Sequence, residues 1–131
     1  MADMSLREIL RKDLAKNYQG SGLDLADAAF SFQARIDDGE TPYRSGNTLF
    51  MTKEIEDEGV EWHTINPEHS AQLVKNATGY FLMLREKGYL YAMTYYDNPK
   101  INDLITQTIF PVEIQKVNEG QDRTYRSVVR L

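Results

Sequence analysis

Two hydrophobic periods alternate along the chain. Leu6, Ile9, Leu10, Leu14 and Tyr18 recur at helical spacing and predict a first helix. Ser5-Leu6-Arg7-Glu8 opens it in the form of a capping box, and Gln19-Gly20-Ser21-Gly22 closes it. Residues 24–36 carry both periods. Phe30, Phe32, Ala34 and Ile36 alternate as a strand would, whereas Leu25, Ala29, Phe32 and Ile36 form a helical stripe. The alanines, with Asp24 and Asp27 near the start, favour a helix.

The period then shortens. Residues 47–55 and 60–65 flank Glu56-Asp57-Glu58-Gly59 and predict a β-hairpin. At Asn66-Pro67 the pattern returns to helix, with Leu73, Ala77, Tyr80, Phe81 and Leu84 as the buried stripe over 67–87 and Gly88 as its end. Residues 89–96, YLYAMTYY, lack polar alternation and predict a central strand. A second join, Asp97-Asn98-Pro99, leads into a short helix carrying Ile101, Leu104 and Ile105. Stretches 111–117 and 124–131 around NEGQD predict a closing hairpin.

The predicted order is α-α-β-β-α-β-α-β-β in a single α/β domain over residues 1–131, with a mixed central sheet and flanking helices. A strand–helix–strand unit implies that 60–65 and 89–96 run parallel through a right-handed crossover. Two Asn-Pro joins place two helix N-termini at one end of that sheet, where anions are readily held.

Composition narrows the function classes. Cysteine is absent, which removes disulfides, thiolate metal sites and a cysteine nucleophile and fits a reducing, cytoplasmic setting. No apolar run approaches the ~20 residues of a membrane helix, so no membrane partner is expected. Net charge is −5, and between Asp37 and Glu61 eight acids stand against Arg44 and Lys53. That concentration argues against a nucleic-acid surface and reads as a solvated acidic hairpin.

The element order resembles the GNAT acetyltransferase fold without its first strand and one further strand. Ile65-Asn66-Pro67-Glu68-His69 is similar to the family stretch that leaves the fourth strand before the loop holding the coenzyme A pyrophosphate. Ser70 stands at the place of that loop's arginine, and Ala71, Leu73 and Lys75 at the places of its glycines. Asn98, Ile101, Leu104 and Phe110 match the spacing of a second family stretch. There the proton-donating tyrosine falls at Ile105 and a glycine at Ile109. The resemblance implies a GNAT-like scaffold whose phosphate loop and general acid are both replaced. The short length and style also resemble small bacteriophage-encoded members.

The expectation is a catalytically degenerate binding or structural module with no cofactor. The alternative is a divergent N-acyltransferase taking its acyl group from acetyl-coenzyme A. Under that alternative Glu61 or His63 is the general base and Tyr95 or Tyr96 the acid, while Ile65, Asn66, Lys75 and Asn98 are the candidate cofactor contacts. Without chemistry, Glu61 and His63 read as the solvent face opposite Val60 and Trp62, and the tyrosines as packing residues. His63, Glu68 and His69 match no strong metal spacing, and no metal is expected. Arg123, Arg126 and Arg130 read as edge-strand charges that deter aggregation. A homodimer through the C-terminal hairpin, or another protein partner, stays open.

Overall fold

The computed structural model describes residues 3–56, 58–117 and 123–131. The elements are α1 (Leu6–Asn17), α2 (Leu25–Asp37), β1 (Thr41–Ser45), β2 (Thr48–Ile55), β3 (Gly59–Ile65), α3 (Ser70–Glu86), β4 (Tyr91–Tyr96), α4 (Lys100–Thr106), β5 (Val112–Lys116) and β6 (Tyr125–Arg130). They build a six-stranded mixed sheet of order β1-β2-β3-β4-β6-β5. Among these, β3 and β4 are parallel neighbours joined by α3, as the crossover spacing predicts.

β1 is the strand that hydrophobic patterning does not reveal. Thr-Pro-Tyr-Arg-Ser has a proline and little burial, which suits an edge, and it pairs antiparallel with β2. With β1 counted, the GNAT-like order lacks one strand among the described residues rather than two.

The first helix begins with half of the expected capping box. Ser5 Oγ accepts from Glu8 N at 3.2 Å, and the reciprocal bond is not formed. Asp24 and Asp27 form a complete box at the start of α2, so the helical reading of that ambiguous stretch holds. α3 starts at Ser70 rather than at 67, capped by His69. The physical reason is Asn66, whose side chain bonds both backbone groups of Glu68 and holds 66–68 as a separate turn. β4 likewise begins at Tyr91 rather than 89. The loop NEGQD lies outside the described residues.

The sheet's two faces have different covers. Phe50, Val60, Trp62, Ala92 and Val129 form one core with Tyr80, Phe81 and Leu84 of α3 and Ile105 of α4. Tyr80 stacks on Phe50 at 4.2 Å, and Phe81 meets Trp62 and Phe110 edge-on. Such aromatic pairs add about 0.5–1.5 kcal/mol each beyond their burial. α1 and α2 cover the opposite face over β2 and β3, with Ile9 and Leu10 of α1 buried. No residue of α2 is fully buried. Among the described residues no helix is long and apolar enough to cross a membrane.

The β3–β4 pairing decides the site. Its register holds only at Gly59↔Tyr91, Val60↔Ala92 and Glu61↔Met93, and the bond from Leu90 N to Glu58 O at 2.8 Å extends it at the closed end. Beyond Glu61, β3 continues with β2 and β4 with β6, so the sheet splays open toward Ile65 and Tyr96. At the closed end Tyr91 lays its ring where a side chain on Gly59 would stand, and its hydroxyl donates to Glu56 O at 2.8 Å.

Gly59→Ala should therefore displace the tethered ring and lower stability by about 1–3 kcal/mol, the usual cost of overpacking a filled site. A urea midpoint unchanged from the native chain would show that the ring yields freely and is no clamp.

Candidate functional site

A pocket stands against each face of β3, and side-chain alternation along that strand sends different chemistry to each. Glu61, His63 and Ile65 face α1 and α2, whereas Val60 and Trp62 face α3 and α4. Glu61 and His63 are only partly exposed rather than an open solvent face, and His63 shares a cleft with α2. Both are half-buried, with His63 Nε2 3.8 Å from Glu61 Oε1.

On the α1/α2 side a cleft of about 280 Å³ opens, with His63, Met51 and Ile65 on its floor and Asp13, Phe32 and Arg35 among its walls. Burial pushes the His63 imidazole below its ordinary value; Arg35 adds to this, while Glu61 and Glu40 pull the other way. The result is a ring that is neutral near pH 7 and able to accept a proton. Asp13 is the second titratable group here. Burial raises its pKa, against the bonds it accepts from Asn17 Nδ2 at 2.7 Å and Asn66 N at 3.0 Å. Sequence patterning missed Asp13 and Arg35. The signal available was the helical period of α2, in which Ala28, Phe32 and Arg35 share one face.

On the α3/α4 side lies a narrow slot of about 50 Å³ between Trp62, Leu73, Ala77, Ile101, Leu104 and Ile105. Trp62 Nε1 is buried with no hydrogen-bond partner among the described residues. A buried, unsatisfied N–H costs of order 1–3 kcal/mol, so an acceptor oxygen entering this slot would be bound with advantage.

The two candidate tyrosines point to opposite faces. Tyr96 is on the α3/α4 side, stacks on Tyr125 and donates its hydroxyl to Asn102 Oδ1 at 2.5 Å. Burial raises its pKa, which makes it a held donor. Tyr95 pairs with Arg126 on the other face. The candidate cofactor contacts are not gathered either: Ile65 belongs to the α1/α2 cleft, Lys75 is exposed on α3, and Asn98 lies at the start of α4. There Asn98 Oδ1 accepts from Lys100 N at 3.0 Å in a local turn, while the N-cap of α4 is Pro99 with no side-chain cap bond, so the sequence expectation that Asn98 caps this helix does not hold.

Asn66 does other work. It is buried, and its Oδ1 accepts from Thr48 Oγ1 at 2.8 Å and from Glu68 N at 3.1 Å. Asn76 Nδ2 donates in turn to Thr48 Oγ1 at 2.9 Å. This network fastens the turn before α3 to β2. The same turn carries Glu68, whose carboxylate accepts from Asn47 Nδ2 at 2.8 Å and whose carbonyl accepts from Lys16 Nζ. His69 Nδ1 accepts from Gln72 N at 3.4 Å. At the start of α3 the Gln72 and Leu73 amides are thus bonded to His69, and a fixed carboxylate, Glu68, stands just before the helix. These residues do not fit a pyrophosphate, which needs free N–H groups and no neighbouring anion.

No family model matches the sequence, and no curated protein does. The fold is similar to that of the crystal structure of an N-acetyltransferase from Staphylococcus aureus Mu50, with a TM-score of 0.50 over 100% of this chain and 96% of that one. At 12% identity the likeness is one of fold. The mixed six-stranded sheet with flanking helices is therefore an acetyltransferase-like fold.

Two outcomes follow from the site's geometry. Asn66→Ala should cost about 1–3 kcal/mol, because it strips partners from a buried network, while Asn98→Ala, which loses one exposed turn bond, should cost less. Equal midpoint shifts in denaturation would contradict that ordering. For His63, the folded-state pKa lies below the unfolded value of about 6.5, so its contribution to stability is present above that pH and fades as pH falls. Thermal midpoints measured from pH 7.5 to 5 should drop less for His63→Gln than for the native chain; parallel curves would place the ring in solvent.

Proposed function

We propose that the chain is a binding module on an acetyltransferase-like scaffold, holding a ligand or partner group at the β3–β4 splay without transferring an acyl group. The fixed carboxylate just before α3 carries this reading. Glu68 is fixed there by Asn47, and Lys16 and Asn66 engage the Glu68 backbone. A coenzyme's pyrophosphate would meet that carboxylate beside the helix start. Ile105, at the position that the resemblance gives to a proton-donating tyrosine, is buried among Trp62, Phe81 and Phe110 in the apolar core and has no proton to give. The Tyr96 hydroxyl is committed to Asn102. What remains is recognition: an apolar slot walled by Trp62 on one face of β3, and a wider cleft with Asp13, Arg35 and His63 among its lining on the other. The resemblance to small bacteriophage-encoded members agrees with a scaffold kept for binding.

One observation favours the alternative of a divergent N-acyltransferase. His63 sits on the floor of a cleft with its imidazole biased toward the neutral form, which is the state that a base deprotonating an amine requires. Under that reading His63, with Glu61 beside it, accepts the amine's proton, and acetyl-coenzyme A supplies the acyl group.

Isothermal titration with acetyl-coenzyme A separates the two. The binding-module reading expects no saturable heat at micromolar concentrations. Saturable heat that Lys75→Glu abolishes, together with amine-dependent release of free thiol that His63→Gln suppresses, would establish the acyltransferase instead.

A further inference from the structure

The face that carries α1 and α2 is only half covered. These helices lie over β2 and β3, and the remainder of that face belongs to β4, β6 and β5. Strand alternation puts Met93 and Tyr95 of β4 and Arg126 and Val128 of β6 there, in register as Met93↔Val128 and Tyr95↔Arg126. All four are only half-buried although both strands are interior to the sheet, and none of the three apolar ones packs against the main core. β6 is flanked by β4 and β5, so its arginines do not guard an edge as the sequence suggested.

Beside this bare floor stands α2, whose outer side is equally unpartnered. Ala26, Phe30, Gln33 and Asp37 recur at helical spacing on the side away from the cleft, and Phe30 is 79% exposed. An exposed aromatic ring on a helix with no buried residue is a knob without a hole.

The charges of the two patches are opposite. Arg126 donates to the neutral Gln115 and takes part in none of the ion pairs among the described residues, whereas Arg130 pairs with Glu113 and Arg123 with Asp97. On α2, the Asp37 carboxylate is exposed and accepts only from the Gln33 amide. One patch offers an apolar knob with a carboxylate, and the other an apolar floor with a guanidinium.

We infer that these patches bind each other between two copies of the chain, with α2 of each copy laid on the β4–β6 floor of the other. Both lie side by side on one face of one sheet, so a two-fold axis between them satisfies both contacts at once, the closed geometry of an isologous dimer. A standard interface takes about 800 Å² from each partner, roughly a tenth of this chain's 8109 Å². The inference is independent of what the splay binds. Phe30 would fill the floor at Met93 and Val128, and Asp37 of one copy would meet Arg126 of the other in a charge-assisted pair.

Light scattering behind size exclusion at micromolar concentrations tests this. The expected mass is twice the 15.1 kDa of one chain. Phe30→Asp and Arg126→Glu should each return the single-chain mass with unchanged circular dichroism, and Asp37→Lys combined with Arg126→Glu should restore the doubled mass. A native chain of single mass overturns the inference, as does a dimer indifferent to both single substitutions or a reversed pair that stays monomeric. Lost helix content in Phe30→Asp also overturns it, because the ring would then pack within its own chain.

Discussion

Three residue pairs join the two halves of this sheet. Between Gly59↔Tyr91 and Glu61↔Met93 the parallel strands share a ladder, and beyond that each turns to its other neighbour. So short a seam would be weak by itself. It is reinforced by the Tyr91 ring over Gly59, by the extra bond at Leu90, and by an aromatic cluster that spans the join from Phe50 and Trp62 to Phe81 and Phe110. The seam also decides the chemistry. Because β3 and β4 pair in register, Val60 and Ala92 face one way and Glu61 and Met93 the other, and the wider cleft and the narrow slot stand back to back across β3.

The turn from β3 into α3 shows how the chain uses polar burial. Asn66, Asn76 and Thr48 satisfy one another below the surface, and the cost of burying them is offset only while all three remain bonded. That closure draws Glu68 against Asn47 and leaves the helix start with an anion of its own. The same bonds hold the turn before α3 rigidly against β2.

Much of this was legible in the sequence. The crossover was readable because helical and strand periods switch sharply at Asn66-Pro67 and Asn98-Pro99. The alanines and the acids Asp24 and Asp27 near its start resolved a stretch in which periodicity alone was ambiguous, and in the structure those two acids form a capping box. β1 was not readable, since an edge strand with Pro42 and Arg44 has no buried face to impose alternation. Asn66 was misassigned because a cap and a buried network partner look identical in one dimension. The partial burial of Glu61 and His63, and the bare floor at Met93 and Tyr95, both depend on where α1 and α2 stop across the sheet. That is a tertiary fact with no local signature.

Trp62 has one more consequence. It is the chain's sole tryptophan, it is 5% exposed, and it stands in the wall of the slot with its indole N–H unbonded. An indole in so apolar a setting emits at short wavelength, and a hydrogen bond to its nitrogen or an entering dipole moves that emission to the red. The protein therefore carries its own optical reporter at the splay. Any molecule that enters from the α3/α4 side would announce itself as a colour change, with no label attached and no activity required.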